Sequence, residues 1–430
     1  IADAIRLGCR CMSLAFNSQD ANMPYGGARV RPIAEFSGSF ESHIPGRHLT
    51  ALLNAEDALS LALDEDAVDK HARAAFYSYS QAPLPLHRVG QHRDGAGIPS
   101  ELSDHDLREG FHALYALARF RDDREARELA EKSIAAVGEL WDADDGWDLP
   151  ALEQLGLVYQ DSRGFIQGEA RMLGPLVKYY RATGYAPALE LALVLKEKAV
   201  NEFYLSDGSF AQERFNTSHS HSITCVLSSL AQLADLLGDG ALMLKVKAFC
   251  EDGLWAMRDE LGWSCESTVL EDSDHGETNN SGDILETVLI LGRWGFGDYY
   301  HDAERMLRGH LLPSQLRDNS FIADPPNPDN IDGLRDVDHT VRARLMGQRD
   351  EWLEDVEGNA TRLTITMQPA TGQDLEDQRP ANSAFDMLKF DNARDKQNFK
   401  MFCTYCHQVG TIGFRTPEKP VCLLYTSDAA

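Results

Sequence analysis

Pairs of apolar stripes at helical spacing, joined by very short polar turns, constrain this chain more than any other feature. Leu107, Phe111, Leu114 and Ala118 make one stripe, and Ala126, Leu129, Ala130, Ile134 and Val137 answer it across Arg121 to Asp123. Met172, Leu173, Leu176, Val177 and Tyr180 are answered across Thr183-Gly184-Tyr185 by Ala188, Leu191, Ala192, Leu195, Ala199 and Phe203. Ile223, Val226, Leu227, Leu230, Ala234 and Leu237 lead over Gly238-Asp239-Gly240 into Leu242, Val246, Phe249 and Met257. Turns this short force antiparallel neighbours, so the unit is an α-hairpin. It recurs about every 55 to 60 residues, with longer segments between, such as 81–104, 142–167 and 205–218. That rhythm predicts an all-α fold, an (α/α) barrel of helical hairpins with its long loops gathered at one end. An open solenoid is the competing arrangement, but it has tighter repeats. About ten or eleven helices fall before residue 313, one or two short of a twelve-helix barrel, which predicts an incomplete one.

Charge narrows the functional classes. The chain carries 41 Lys and Arg against 68 Asp and Glu, a formal net charge of −27. Such a surface repels phosphate backbones and anionic lipid, so no nucleic-acid partner is expected. No apolar run approaches the roughly 18 residues of a membrane span. Eight cysteines are too few for a disulfide scaffold over 430 residues, and Cys225 and Cys250 read as inert core.

The character changes after Asp324-Pro325-Pro326-Asn327-Pro328-Asp329-Asn330. Arg362 to Met367 alternates with period two and predicts a β-strand, 370–384 reads as linker, and Asp386 to Phe402 as a short helix. The expected domains are a barrel at 1–345, a small irregular C-terminal fragment at 346–421, and a non-native end at 422–430.

Polar residues collect where long segments meet helix starts. Gly276-Glu277-Thr278-Asn279-Asn280-Ser281-Gly282-Asp283 opens a helix through Ile284, Leu285, Val288 and Leu289, with Ser281 or Asp283 placed to cap it. Glu277 then lies just outside the N-terminus, where the helix dipole favours the carboxylate. Cys265 and Glu266 precede it, after Trp263. Glycoside hydrolysis needs one acid for the leaving oxygen and one base or nucleophile opposite, near an aromatic wall. Glu277 is the first catalytic candidate and Glu266 the second; the alternative is that both are caps and solvated charges.

Further candidates for the loop-rich end are Glu41, His43, Arg47 and His48; His105, Arg108, Glu109 and His112; Arg163, Gln167, Glu169 and Arg171; and His219 with His221. Arg108/His112 and Gln167/Arg171 are i, i+4 pairs sharing a helix face, suited to sugar hydroxyls or a uronate carboxylate. His48, Arg108, His112, Gln167, Arg171 and His221 are assigned to substrate. A metal pair is the alternative for His219-Ser220-His221, but alternate residues of an extended turn more often point apart, so no metal is assigned in the barrel. Trp141, Trp147, Trp255, Trp263 and Trp294 are core residues for the most part, with sugar stacking the alternative.

The stretch from Gly276 to Leu312, through Tyr299-Tyr300-His301-Asp302-Ala303-Glu304-Arg305, resembles bacterial β-L-arabinofuranosidases, where a Glu-Thr-Cys motif runs into a helix pair. Glu277-Thr278 match the first two motif residues, and Asn279 stands where that family has cysteine. Pro45-Gly46-Arg47-His48-Leu49 and Arg108-Glu109-Gly110-Phe111-His112 resemble six-hairpin toroid glycosidases more generally. The resemblance implies an α/α toroid, a carbohydrate substrate, and a Glu-plus-cysteine zinc site whose cysteine this chain lacks at 279. The barrel is therefore expected to need no cofactor.

Cys403-x-x-Cys406-His407 has the haem c attachment pattern, two thiols for thioethers and a His for the iron, with half of a zinc site as the alternative. Its surroundings, about 386–415, resemble c-type cytochromes, which implies haem c bound at those three residues and electron transfer. Cys422 to Ala430 resembles a translated sequencing adapter, so an artificial joining of two modules near 336–358 is an alternative to a native fusion. A native haem motif implies the periplasm or exterior; otherwise the cytoplasm is expected. The expected function is a glycoside hydrolase. A polysaccharide lyase or sugar epimerase with a His or Tyr base, and a non-catalytic helical-repeat binder, are the rivals.

Overall fold

The computed structural model describes residues 1–14, 16–17, 20–31, 33–39, 41–88, 97–160, 163–268, 277–313 and 315. The expected strand at 362–367, the boundary at 345, the Cys403/Cys406/His407 motif and the adapter-like end lie outside the described residues.

Twelve helices run in order among the described residues: α1 (Ala2–Met12), α2 (Ile44–Leu59), α3 (Glu65–Ser78), α4 (Leu107–Phe120), α5 (Arg124–Leu140), α6 (Leu149–Gln154), α7 (Leu173–Thr183), α8 (Ala186–Glu202), α9 (Ser220–Leu237), α10 (Gly240–Glu251), α11 (Thr278–Arg293) and α12 (Asp298–Met306). The expected turns pair α4 with α5, α7 with α8 and α9 with α10. Gly184 and Gly238 take the left-handed conformation that ends α7 and α9. Asp123 and Asp239 then cap the return helices, each accepting from a backbone N–H at 3.0 Å.

Burial sorts the helices into two layers. Every residue from Ser220 to Ala234 of α9 is buried, and α2, α4, α7 and α11 are likewise enclosed over most of their described length. Helix α5 instead buries one stripe, Ala126, Ala130, Ser133, Ile134 and Val137. The first group is an inner ring in which α2 packs on α4, α4 on α7, α7 on α9, and α9 on α11. Arg47 of α2 donates to Asn279 Oδ1 of α11 at 3.4 Å, bringing the two ends of that series together. In the outer layer, Gln315 Nε2 reaches Ala4 O at 2.9 Å. Helices α1, α3, α5, α8, α10 and α12 form this outer layer, so eleven long helices are described, within the expected ten or eleven. The short α6 belongs to a connection.

Each inner helix returns through an outer one, so all five inner helices run the same way. Their N-termini, and the long connections that precede them, share one end. The segments expected to be irregular at 81–104 and 142–167, and the region before α2 expected to be helical, carry three small sheets. β1 (Phe16–Asn17), β2 (Met23–Arg31) and β3 (Ile33–Ser39) are antiparallel; β4 (Leu86–Arg88), β5 (Pro99–Leu102) and β8 (Val158–Tyr159) are mixed; β6 (Trp141–Asp142) pairs with β7 (Gly146–Trp147). Six of these strands are two to four residues long, too short for period two to stand out, and the longer β2 and β3 carry Gly26-Gly27 and Ser37-Gly38-Ser39 in place of a clean alternation.

Candidate active site at the mouth of the barrel

Five parallel helix N-termini give this end of the ring a positive field. Three arginines add to it. Arg47, Arg108 and Arg171 all donate to one oxygen, Glu109 Oε1, at 3.0–3.1, 2.8 and 2.9 Å. Glu109 is completely buried. Burial alone would raise its pKa, but Arg171, His43, Arg47 and Arg108 outweigh that and hold it well below the usual carboxylate range. It is a fixed anion under a cationic floor.

Above it lies a shell of imidazoles. His43 Nδ1 is 2.8 Å from Asp106 Oδ1, Ser42 Oγ donates to Asp106 Oδ2 at 2.7 Å, and His87 Nδ1 is 3.5 Å from the same oxygen. Burial would raise Asp106, yet its bonds to His43 and His87 keep it ionised. Burial would lower His87, but Asp106, Glu101 and Glu41 raise it. His43 stacks on His105 at 5.5 Å between centroids, and His105 lies 5.8 Å from His219. Burial and Arg171 push His105 well below the ordinary imidazole value, so it is neutral.

His219 and His221 open α9, opposite the start of α11. His219 Nε2 is 3.1 Å from Glu277 Oε2, and His221 Nε2 is 3.3 Å from Asp283 Oδ2. The preceding loop is pinned alongside, since Ser220 N donates to Glu266 O and Glu277 N to Ser264 O, both at 2.9 Å.

A pair of carboxylates, Asp104 and Glu169, stands where α7 begins. Gly168 rests on Asp104 so closely that a Cβ there would lie 2.6 Å from Asp104 Cγ, which reserves the position for glycine. Glu169 follows, its Oε1 accepting from Trp147 Nε1 at 2.7 Å, while Tyr159 Oη donates to Asp104 Oδ2 at 3.0 Å. Burial first, and then the Asp104 charge, push Glu169 up to about 7. Trp147 and Tyr159 are 6.2 Å apart and form an aromatic wall beside the pair.

Of the candidates from sequence, His43, Arg47, His105, Arg108, Glu109, Glu169, Arg171, His219, His221 and Glu277 join this cluster, while Glu41 pairs with Arg88 at 3.2 Å. Glu266 lies at its edge through its backbone, and the Gln167 carbonyl is 3.1 Å from His105 Nδ1. His112 sits one turn deeper, 3.4 Å from Lys178 Nζ. His48 does not join. It is one residue from Arg47, about 100° around the helix, and points to the outer layer, with Nδ1 3.2 Å from His71 Nε2. Ser281 and Asp283 do not cap α11 either. The helix begins at Thr278 with Glu277 in the cap position, so both fall inside it, and Ser281 Oγ donates to Gly262 O. Asp104, Asp106, His87 and Glu101 were not found from sequence. The acidic Ser103-Asp104-His105-Asp106 run before α4 matches the placement of Glu277 before α11, and was the available signal.

The zinc site implied by the arabinofuranosidase resemblance does not fit. The Asn279 amide donates to Glu277 Oε1, supplying no thiolate, and the nearby Cys265 is buried against Ser220 Oγ at 3.5 Å.

No protein-family model and no curated protein matches the chain. Solved structures do. A sugar epimerase from a ruminal bacterium is 13% identical with TM-score 0.55, covering 73% of this chain and 87% of its own. An unsaturated glucuronyl hydrolase from Bacillus sp. GL1 is 12% identical with TM-score 0.52, over 75% and 86%. A cellobiose 2-epimerase from Spirochaeta thermophila is 15% identical with TM-score 0.52, over 72% and 82%. At these identities the likeness is one of fold, and the fold is the α/α toroid.

Proposed function

We propose that this chain is a carbohydrate-active enzyme that hydrolyses glycosidic bonds at the mouth built by the inner helix N-termini. The observation that carries the reading is the separation of its glutamates, Glu169 pushed up to about 7 and Glu109 held far below the usual range. A carboxylic acid protonated near neutrality can give its proton to a leaving glycosidic oxygen, and as a carboxylate it can take one back from water. Glu169 takes that role. Glu277, oriented by His219 and Asn279, is the carboxylate that activates water. Arg108, Arg171, His221 and Gln167 position the sugar around the cationic floor, and Trp147 with Tyr159 supplies a stacking wall. Both the resemblance of 276–312 to arabinofuranosidases and the names of the structural neighbours support a carbohydrate substrate.

One observation favours a second reading. Four imidazoles, of His43, His105, His219 and His221, surround three arginines, a setting suited to base-catalysed epimerisation or elimination beside a carboxylate. Incubation of the full chain with aryl glycosides, unsaturated uronides and disaccharides, with products read by NMR, separates the two. Hydrolysis yields a free reducing sugar; an isomer of unchanged mass, or a new double bond, supports the rival. A folded protein that turns over nothing in the panel counts against both. The haem c reading of Cys403, Cys406 and His407 is a separate proposal, tested by a covalent haem absorption band after coexpression with a maturation system.

A further inference from the structure

His219, His221 and Glu277 meet where the starts of α9 and α11 face each other, and one donor atom of each lies within 4.8 Å of the other two. The remaining donor atoms of two of them are already engaged. His219 Nδ1 is 2.9 Å from Ser222 Oγ, and Glu277 Oε1 accepts from the Asn279 amide. These bonds leave His219 Nε2 and Glu277 Oε2 turned towards one another at 3.1 Å. Two ligands on one tetrahedral zinc stand roughly 3.3 Å apart. His221 supplies an independent sign. It is 1% exposed, and among the described residues neither ring nitrogen makes a hydrogen bond, although Nε2 forms an ion pair with Asp283 Oδ2 at 3.3 Å. A buried imidazole whose nitrogens make no protein hydrogen bond calls for a further partner, a bound water or an ion.

We infer that His219, His221 and Glu277 bind a divalent cation of zinc type, three protein ligands with a fourth position open to the mouth. The hydrogen bonds from Ser222 and Asn279 are the outer contacts that fix ring and carboxylate orientation at such sites. Charge does not forbid the ion. Arg47, Arg108 and Arg171 are near, but Glu109, Asp283 and Glu277 balance them before a cation enters. A deeper trio of His221, Cys225 and Asp283 is less suited. All three are buried, the Cys225 thiol lies 3.4 Å from Ser222 O, and burial keeps that thiol protonated. The site rests on the proposed hydrolysis only for its purpose: with Glu277 as a ligand, the ion itself holds and acidifies the attacking water in place of a free carboxylate. Binding itself stands apart from that reading.

The test uses the full chain, stripped with a chelator and titrated with Co2+, reading visible d–d bands and stoichiometry, then displacement by Zn2+. One equivalent with tetrahedral bands is expected. His219→Gln and Glu277→Gln each abolish the bands while melting like the metal-free parent, and a Cys403→Ser/Cys406→Ser double variant keeps them. Asn279→Ala removes an outer contact and no ligand, so it weakens Co2+ binding about 10–100-fold even if a ligand variant fails to fold. A parent that takes up no Co2+ overturns the inference. So do bands that survive both ligand variants, bands lost only with the cysteine pair, or unchanged affinity in Asn279→Ala.

Discussion

Glu109 and Glu169 are both glutamates at the mouth of the ring, 0% and 4% exposed, and each sits at the start of an inner helix. Glu109 receives three guanidinium groups; Glu169 receives an indole N–H and faces another carboxylate. Burial acts alike on both, so the supply of cations decides the outcome. One becomes a permanent anion that holds the floor together, and the other becomes an acid with a proton to give. Fixed charge and transferable charge are thus placed in neighbouring parts of one fold.

The largest expected effect is on chemistry. Glu169→Gln keeps the acceptor for Trp147 Nε1 but has no proton to transfer, so kcat falls about 10²–10⁴-fold with the melting temperature unchanged or raised. Steady-state rates on the substrate identified by the panel provide the check, and a loss below tenfold would remove Glu169 from the mechanism. Glu109→Gln sharpens the contrast from the other side. Three buried guanidinium groups lose their shared anion, and stability falls by about 3–5 kcal/mol in urea unfolding. If that variant unfolds within 1 kcal/mol of the parent, roughly, the floor is not held by Glu109.

The pH dependence follows from the same pair. Folded Glu169 keeps its proton up to about 7, whereas the unfolded chain releases it from its ordinary value of 4.5. Between those values the folded state binds more protons, so stability falls as pH rises through that window. The slope amounts to on the order of 1–3 kcal/mol, and Glu169→Gln should flatten it. A parent and variant with parallel stability–pH curves would show that Glu169 titrates normally.

Local patterns in the chain reveal the ring better than the mouth. The turns at 121–123, 183–185 and 238–240, and the stripes on either side, carry the hairpin architecture, because periodicity and turn length act over a dozen residues. Arg108 was legible as a polar position on a helix face and Glu277 as a carboxylate at a helix start, whereas Gln167 lies in the turn before the 3-10 helix Glu169–Met172 and so shares no helix face with Arg171. That Arg47, Arg108 and Arg171 share one carboxylate was not legible, since it depends on three hairpins closing around Glu109. Asp104 escaped for the same reason, becoming informative only when Gly168 and Glu169 pack against it. His48 shows the reverse: a neighbouring residue in sequence that helical rotation carries out of the cluster.

The smallest effect belongs to the opposite end. Arg121, in the turn between α4 and α5, pairs with Glu56 and Glu65 in partly exposed positions. Arg121→Ala should cost about 0–1 kcal/mol, against the several lost at Glu109. A cost as large as that of Glu109→Gln in the same urea assay would erase the distinction between a solvated ion pair and a buried one.

Site-resolved titration of Glu169 addresses the separation itself. Infrared difference spectra of the parent minus Glu169→Gln, recorded across about pH 4 to 9, isolate the protonated carboxyl band of this one residue. The band should persist through the ordinary carboxylate range and disappear with a midpoint of about 7. A midpoint at the ordinary glutamate value of 4.5 would contradict the division of the mouth into a proton donor and a fixed anion, and with it the proposed hydrolysis.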